Sequence, residues 1–359
     1  MHRSPDPIHR PVIIPVFIPH AGCPHRCVFC NQHLVTGSGT PMPSPDDIGA
    51  RVEAVLGTLP GRKRPVEIAF YGGTFLGLPL DAVDGLLSTA SSFLASGRVQ
   101  GIRFSTRPDT ITRQILEAIR PYPVTTIELG VQSLDDGVLE QSCRGHTAED
   151  TRNAIARLER LPVAVGLQLM IGLPGDSDRN AIETAREAVR LKPDFVRIYP
   201  TLVFADTPLA DQYRDGEYRP LSIDEAVGRA KSMFVVFLAA GIPVIRMGLQ
   251  ETSALATPET VVAGPHHPAF GEWVLSACFL DLAEKTLRRH PPTGDRLIIR
   301  VNPRSESQFR GSRNKNILAL HRAFPHRPLH VVPDPRIDTG AIAVDALDAV
   351  YLSTLGAAP

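Results

Sequence analysis

The sequence predicts an α/β fold in which six strand–helix units build one parallel sheet, either curved into a partial (β/α)6 TIM-like barrel or doubly wound. Three observations carry this expectation. Short apolar runs alternate with amphipathic ones over the first two thirds of the chain. The apolar runs end in polar or glycine-rich signatures. Finally, 359 residues are enough to bury a sizeable core.

In order, "PVIIPVFI" (11–18) reads as a buried strand and opens into a cysteine-bearing loop. "PDDIGARVEAVLGTL" (45–59) has helical spacing with an acidic first turn. Strand "VEIAFYGG" (66–73), helix "DAVDGLLSTASSFLA" (81–95), strand "GIRFSTR" (101–107) and helix "TRQILEAI" (112–119) follow. Strand "TTIELGVQS" (125–133) leads to helical "LDDGVLEQS" (134–142) and "TAEDTRNAIARLERL" (147–161). Strand "VAVGLQLMIGLPG" (163–175), helix "RNAIETAREAVRL" (179–191), a sixth strand "DFVRIYPTLVF" (194–204) and a sixth helix (222–241) complete the set. Chemistry in such folds sits at the C-terminal ends of the strands. The cysteine loop, "YGGT", "STRPD", "GVQS" and "GLPG" all fall there; any one glycine would read as turn punctuation, but five such strand ends converge.

The division expected is a flexible N-terminus (1–10), a core domain (11–248), a connecting segment (249–292) and a small α+β module (293–359). Formal net charge is zero, so no global field points to a nucleic acid or membrane partner. Locally, however, eleven Lys or Arg stand against two acids between Lys285 and Arg327. No apolar run reaches the length of a membrane span, and "MHRSPDPIHRP" lacks the core of a signal peptide. A cytoplasmic location follows as the expectation, and there clustered thiols serve metal or redox chemistry more often than disulfides.

Cys23, Cys27 and Cys30 stand in C-x3-C-x2-C spacing. Three thiolates suit a cubane 4Fe–4S cluster with one iron left open to chelate a small molecule. A structural zinc site would need a fourth ligand, for which His20, His25 and His33 are near in sequence. Cys143 and Cys278 are remote, and Cys278 reads as a buried hydrophobe. His266 and His267, in "AGPHHPAF", carry no visible ligand partner.

The cysteine spacing directly after the first strand, with Phe29 before the last cysteine, resembles the radical S-adenosylmethionine (radical SAM) superfamily. The resemblance implies that the open iron holds the methionine part of the cofactor, that one electron from a reductant such as ferredoxin or flavodoxin splits the sulfonium, and that the resulting 5′-deoxyadenosyl radical takes hydrogen from a substrate. It also implies site residues. Phe29 would lie by the adenine, and Gly72, Gly73 and Thr74 of "YGGT" by the cofactor's amino group. Gln132 would lie by the ribose and Arg144, twelve residues on, by the carboxylate. Ser105 stands where the family has a glutamate, and Gln168 where coproporphyrinogen oxidases have an aspartate.

Over residues 11 to 245 the order and spacing of "STRPD", "ELGVQSLDD", "RGHT", "GLPG" and "RIYPTLVFADTPLADQYRDGEY" are similar to the radical domain of Elongator catalytic subunits. Their acetyltransferase domain is expected to be absent here, since about a hundred residues follow the core. In the C-terminal third, "GSRNKNILAL" resembles the Gly-x-x-Gly loop of a KH domain with Asn314 as the second glycine, and Arg310, Arg313, Lys315 and Arg322 would face phosphates. The plain alternative for this stretch is a basic solvated face. A last strand and helix are expected over "GAIAVDALDAVYLSTL" (340–355). The resulting expectation is a radical SAM enzyme modifying RNA, tRNA above all. Alternatives are a radical enzyme of small molecules or tetrapyrroles, and a non-catalytic iron–sulfur or zinc protein.

Overall fold

The computed structural model describes residues 11–18, 22–31, 41–59, 64–250, 259–291, 296–325, 328–346 and 349–356. The N-terminal ten residues, His20 and His33 lie outside the described residues.

Seven strands form one parallel sheet in the order β1-β2-β3-β4-β5-β6-β8. They are β1 (Val12–Ile18), β2 (Val66–Gly72), β3 (Gly101–Thr106), β4 (Val124–Gln132), β5 (Ala164–Ile171), β6 (Phe195–Pro200) and β8 (Val244–Met247). The connecting helices are α1 (Pro45–Gly57), α2 (Leu80–Ala95), α3 (Arg113–Ile119), α4 (Asp136–Gln141), α5 (Ala148–Leu158), α6 (Asp178–Arg190), α7 (Pro208–Arg214) and α8 (Ile223–Ala239). The sheet is the half-barrel expected of the family.

The two faces of the sheet differ because side chains alternate along a strand. Outward, Ile14, Ile18, Ile68, Phe70, Phe104, Ile127, Leu167 and Ile198 are fully excluded from solvent in the main core under the helices. Phe70, Phe75 and Phe104 stack there in a row, with centroids 5.0 and 4.5 Å apart. Inward, the intervening positions include Glu67, Tyr71, Arg103, Ser105, Glu128, Gln168 and Arg197. Several helices start on sequence-readable caps. Ser44 with Asp47, Thr147 with Asp150 and Ser222 with Glu225 each close a capping box, so the orphan amides of α1, α5 and α8 are satisfied locally.

Three expectations change. The run 194–204 is not one strand: it breaks after Pro200, and β7 (Val203–Phe204) turns to pair antiparallel with β9 (Val261–Ala263). The sixth helix is followed by β8, which adds a seventh strand parallel to β6, too short to signal itself by pattern. The described residues of 340–355 form no helix. They make the hairpin β12 (Ala341–Ala346) and β13 (Ala349–Thr354), because Ile342 and Val344 alternate into the core at period two.

The C-terminal module is a four-stranded sheet ordered β11-β10-β12-β13, from β10 (Leu297–Val301) and β11 (Leu329–Pro333) with that hairpin. Two short helices, α10 (Glu306–Arg310) and α11 (Lys315–Ala323), cross between the parallel pair β10 and β11. The turn between them takes positive φ at Gly311 (70°), Arg313 (51°) and Asn314 (61°), so Asn314 adopts the left-handed conformation that asparagine tolerates. Before the module, α9 (Phe270–Arg289) serves both cores. Phe270, Val274 and Cys278 pack in the barrel core, whereas Phe279, Ala283 and Leu287 pack with Leu297, Ile299, Phe309 and Val344. Burial pushes the Cys278 thiol up to about 12, as suits a small hydrophobe. His267 stacks on Trp273 with ring centres 3.8 Å apart and accepts the Ala269 amide.

Candidate active site

A cavity of about 320 Å³ opens at the C-terminal ends of the parallel strands. Cys23, Cys27, Phe29 and Cys30 of the loop after β1 face it, with Gly72, Gly73 and Thr74 from the end of β2. Ser105 of β3, Gln132 of β4, Gln168 of β5 and Arg144 of the turn after α4 close the wall. Every cluster and cofactor position expected from sequence is thus brought to one space. The four basic residues of the C-terminal module are not among its walls. Arg310 pairs with Glu306 at 2.7 Å and Lys315 with Asp224 of α8 at 3.3 Å, while Arg313 and Arg322 are exposed.

Residues 22–31, the described part of the cysteine loop, contain no helix or strand, and other elements hold them. The Val28 amide donates to the Ser142 carbonyl at 3.1 Å, the Leu209 amide donates to the Val28 carbonyl at 3.0 Å, and Asn31 Nδ2 donates to the Ala205 carbonyl at 2.7 Å. The Val28 side chain is buried among Val203, Leu209 and Ala210. Two glycines permit the close approach. Gly22, at φ 76°, lies against the backbone of Thr74 and Gly77, and Gly145, at φ 72°, lies under the His25 ring; a Cβ at either would overlap its neighbour.

Cys23 Sγ and Thr74 Oγ1 are 2.8 Å apart. Arg144, 7% exposed, donates from Nη1 to Cys27 Sγ at 3.3 Å and from Nη2 to the Gly130 carbonyl at 2.6 Å. A side chain at Gly130 would crowd both Arg144 and Gln132. Gln132 itself holds φ at 67°, a strained backbone that sets its amide into the cavity wall.

Beneath this wall lies a polar network that sequence reasoning did not single out. Glu128 is fully buried. Its carboxylate accepts from Tyr71 Oη at 3.1 Å, Arg103 Nη1 at 3.2 Å, Gln168 Nε2 at 3.0 Å and Arg197 Nη2 at 2.9 Å. Gln168 Nε2 also donates to Ser105 Oγ at 3.0 Å. Both amide hydrogens of Gln168 are thereby engaged, so its Oε1 is left as the acceptor and Ser105 keeps its hydroxyl hydrogen to donate. Burial raises the Glu128 carboxyl, but Arg197, the Gln168 hydrogen bond and Arg103 outweigh it, and the net shift is downward. Burial, then the Glu128 charge, raises the Tyr71 phenol, which stays protonated. The available signal was the presence of Glu67, Tyr71, Arg103, Glu128, Gln168 and Arg197 inside otherwise apolar strands.

Arg107, 2% exposed, also borders the cavity and is clamped by Asp109 through two hydrogen bonds of 2.9 Å. His146 is buried beside it. Burial, followed by the charges of Arg144 and Arg107, drops its imidazole to about 3, so no third cation forms there near neutrality.

The donor set fits a cubane: three thiols, Cys23, Cys27 and Cys30, line one cavity, and a guanidinium hydrogen bond to the Cys27 sulfur suits a ligating thiolate.

The radical SAM superfamily model matches residues 17–188, and the radical SAM C-terminal domain model matches residues 193–278. An uncharacterized protein of Methanocaldococcus jannaschii is 30% identical over 71% of this chain and 77% of its own length. The tRNA uridine(34) acetyltransferase of the same organism is 33% identical over 49% of this chain, and the matched part is 34% of that enzyme. Among solved structures, the archaeal Methanocaldococcus infernus Elp3 with an N-terminal deletion aligns with a TM-score of 0.57 at 19% identity, over 94% of this chain and 74% of that one. That likeness in fold extends beyond the core into the C-terminal third. The chain belongs to the radical SAM superfamily. It is accordingly a radical SAM enzyme, whose cofactors are a 4Fe–4S cluster and S-adenosylmethionine.

Proposed function

We propose that this radical SAM enzyme modifies RNA, with tRNA as the substrate class, in the cytoplasm and with a ferredoxin- or flavodoxin-type protein as electron donor. The single observation that carries the site assignment is the convergence of Cys23, Cys27 and Cys30 with Gly72–Thr74, Gln132 and Arg144 on one cavity. The RNA reading is supported by the likeness to tRNA uridine(34) acetyltransferases, of which this chain spans a half or less, and by the basic α+β module.

In this reading Cys23, Cys27 and Cys30 hold the cluster. Arg144, already donating to Cys27, meets the cofactor's carboxylate. The open backbone of Gly72 and Gly73 admits its amino group, with Thr74 alongside, and Gln132 meets the ribose. Phe29 lies by the adenine, while Ser105 as donor and Gln168 as acceptor complete the wall. When bound, the pair of cofactors supplies hydrogen-atom abstraction from the substrate after one-electron reduction of the sulfonium. The fixed strand ends hold these groups in a set arrangement around the cavity. Arg310, Arg313, Lys315 and Arg322 contact phosphates at low cost in specificity.

Anaerobic reconstitution should load close to four iron and four sulfide per chain, and reductant plus S-adenosylmethionine should release 5′-deoxyadenosine. Cys27→Ala should abolish both. Comparison of tRNA nucleosides from wild-type and deletion cells tests the substrate: an unchanged nucleoside profile would remove tRNA.

A further inference from the structure

We propose that the inner face of the half-barrel carries an oxyanion subsite for the substrate, built by Arg246 beside Arg197 and Tyr199 and taking a phosphodiester of the RNA. The subsite stands on geometry; only the source of the oxyanion rests on the RNA reading above.

The register places it. Gln168 of β5 is aligned with Arg197 of β6, and Arg197 with Arg246 of β8. Aligned residues of neighbouring strands point to the same face, so these three form one row. Gln168 lines the cavity, and the row therefore runs from the cavity wall to β8, the last strand of the sheet. Tyr199, two residues past Arg197, shares the inward face.

The charges on this face do not balance. Arg103 and Arg197 are matched by Glu67 and Glu128: Arg103 pairs with both carboxylates, and Arg197 Nε lies 2.8 Å from Glu128 Oε2. Arg246 is left over. It is half-buried and, among the described residues, makes no hydrogen bond or ion pair. Two guanidiniums side by side repel, and a strand-borne arginine without a counter-charge next to a second one is costly unless an anion joins them. A planar guanidinium fork suits phosphate oxygens, and a phenol adds one more donor. Because the row sits on strands, the oxyanion would be held at a fixed distance from the cavity, which positions the substrate for hydrogen transfer.

The test is chemical footprinting of the reconstituted enzyme with phenylglyoxal, which modifies accessible guanidiniums, read by peptide mass spectrometry. The expected result is that Arg246 reacts, that inorganic phosphate slows its modification saturably by fivefold or more, and that unfractionated tRNA does so at far lower concentration. Arg113, which is 91% exposed on α3, serves as the control and should be unprotected by phosphate. An unreactive Arg246, or one that phosphate does not protect beyond Arg113, would overturn the subsite. Protection by phosphate without protection by tRNA would keep the oxyanion subsite and remove RNA as its source.

Discussion

Arg144 fastens Cys27 to β4: one guanidinium nitrogen donates to the Cys27 sulfur at 3.3 Å while another donates to the Gly130 carbonyl at 2.6 Å. The two residues are 117 positions apart in sequence, so this contact joins the loop after β1 to the turn after α4. Arg144→Lys can reach one of these acceptors but not both, because an ammonium has no fork. The variant should still take up iron and sulfide. Its turnover to 5′-deoxyadenosine should fall by about 10- to 100-fold, and its cluster should reduce at a more negative potential, since a donor to a ligating sulfur is lost. Potentiometric titration and product assay read the two effects separately.

Gly145 allows the cysteine loop to sit where it does. In Gly145→Ala the new methyl would overlap the His25 ring, and φ 72° is disfavoured for alanine. Stability should drop by about 1–3 kcal/mol and iron incorporation with it. The double variant with His25→Ala should recover part of the iron content, because the overlap is then gone while the backbone strain remains. A double-mutant cycle on chemical denaturation measures that coupling.

Acid should destabilise the protein in two stages. The folded His146 imidazole is at about 3 against an ordinary 6.5, so the unfolded chain binds the extra proton between those values. Stability is therefore complete above pH 6.5 and is lost as pH falls toward 3, by at most about 1.4 kcal/mol per pH unit. Glu128 is lowered from 4.5, so its contribution is present above that pH and is lost below it. His146→Gln should flatten the denaturation midpoint between about pH 6.5 and pH 4.5. An unaltered slope in that window would mean that His146 does not govern it.

Glu128 gathers Tyr71, Arg103, Gln168 and Arg197, and its removal should be more damaging than its own contacts suggest. Glu128→Ala leaves Arg197 buried without a counter-charge and should cost about 3–5 kcal/mol. Glu128→Gln keeps the shape and should cost less, which urea unfolding of the two variants would show.

In the C-terminal module, Arg313→Glu should weaken tRNA binding and reduce the slope of log affinity against log salt by more than one unit, since a cation is replaced by an anion. Asn314→Gly should leave stability nearly unchanged, whereas Asn314→Ala should cost about 1 kcal/mol at φ 61°. Filter binding across a salt series and thermal melts check both.

Much of the fold was legible because buried parallel strands read as continuous apolar runs and the helices carry their own caps, as Ser44, Thr147 and Ser222 do. What escaped was short or ambiguous. Four residues, Val244–Met247, are too few to show a period, and the apolar stretch 340–355 fits either element until Ile342 and Val344 find the core beneath α9. The cysteine motif and the glycines marked the cavity. Glu128 and Arg246 did not announce themselves, since a charged residue within a strand carries no label saying which face it will occupy.

By itself the sequence determined the local chemistry: three thiols on one loop, glycines at strand ends, an arginine in the "CRGHT" turn, and alternation strong enough to demand a parallel sheet. Only the tertiary structure decided which of these meet. Register between strands, a property of pairs of segments and not of either one, places Gln168, Arg197 and Arg246 in one row and brings Ser105 and Gln168 into one network with Glu128. The physical reason is that a strand's own residues set what alternates, whereas its neighbours set at what height and beside which charge each side chain is buried.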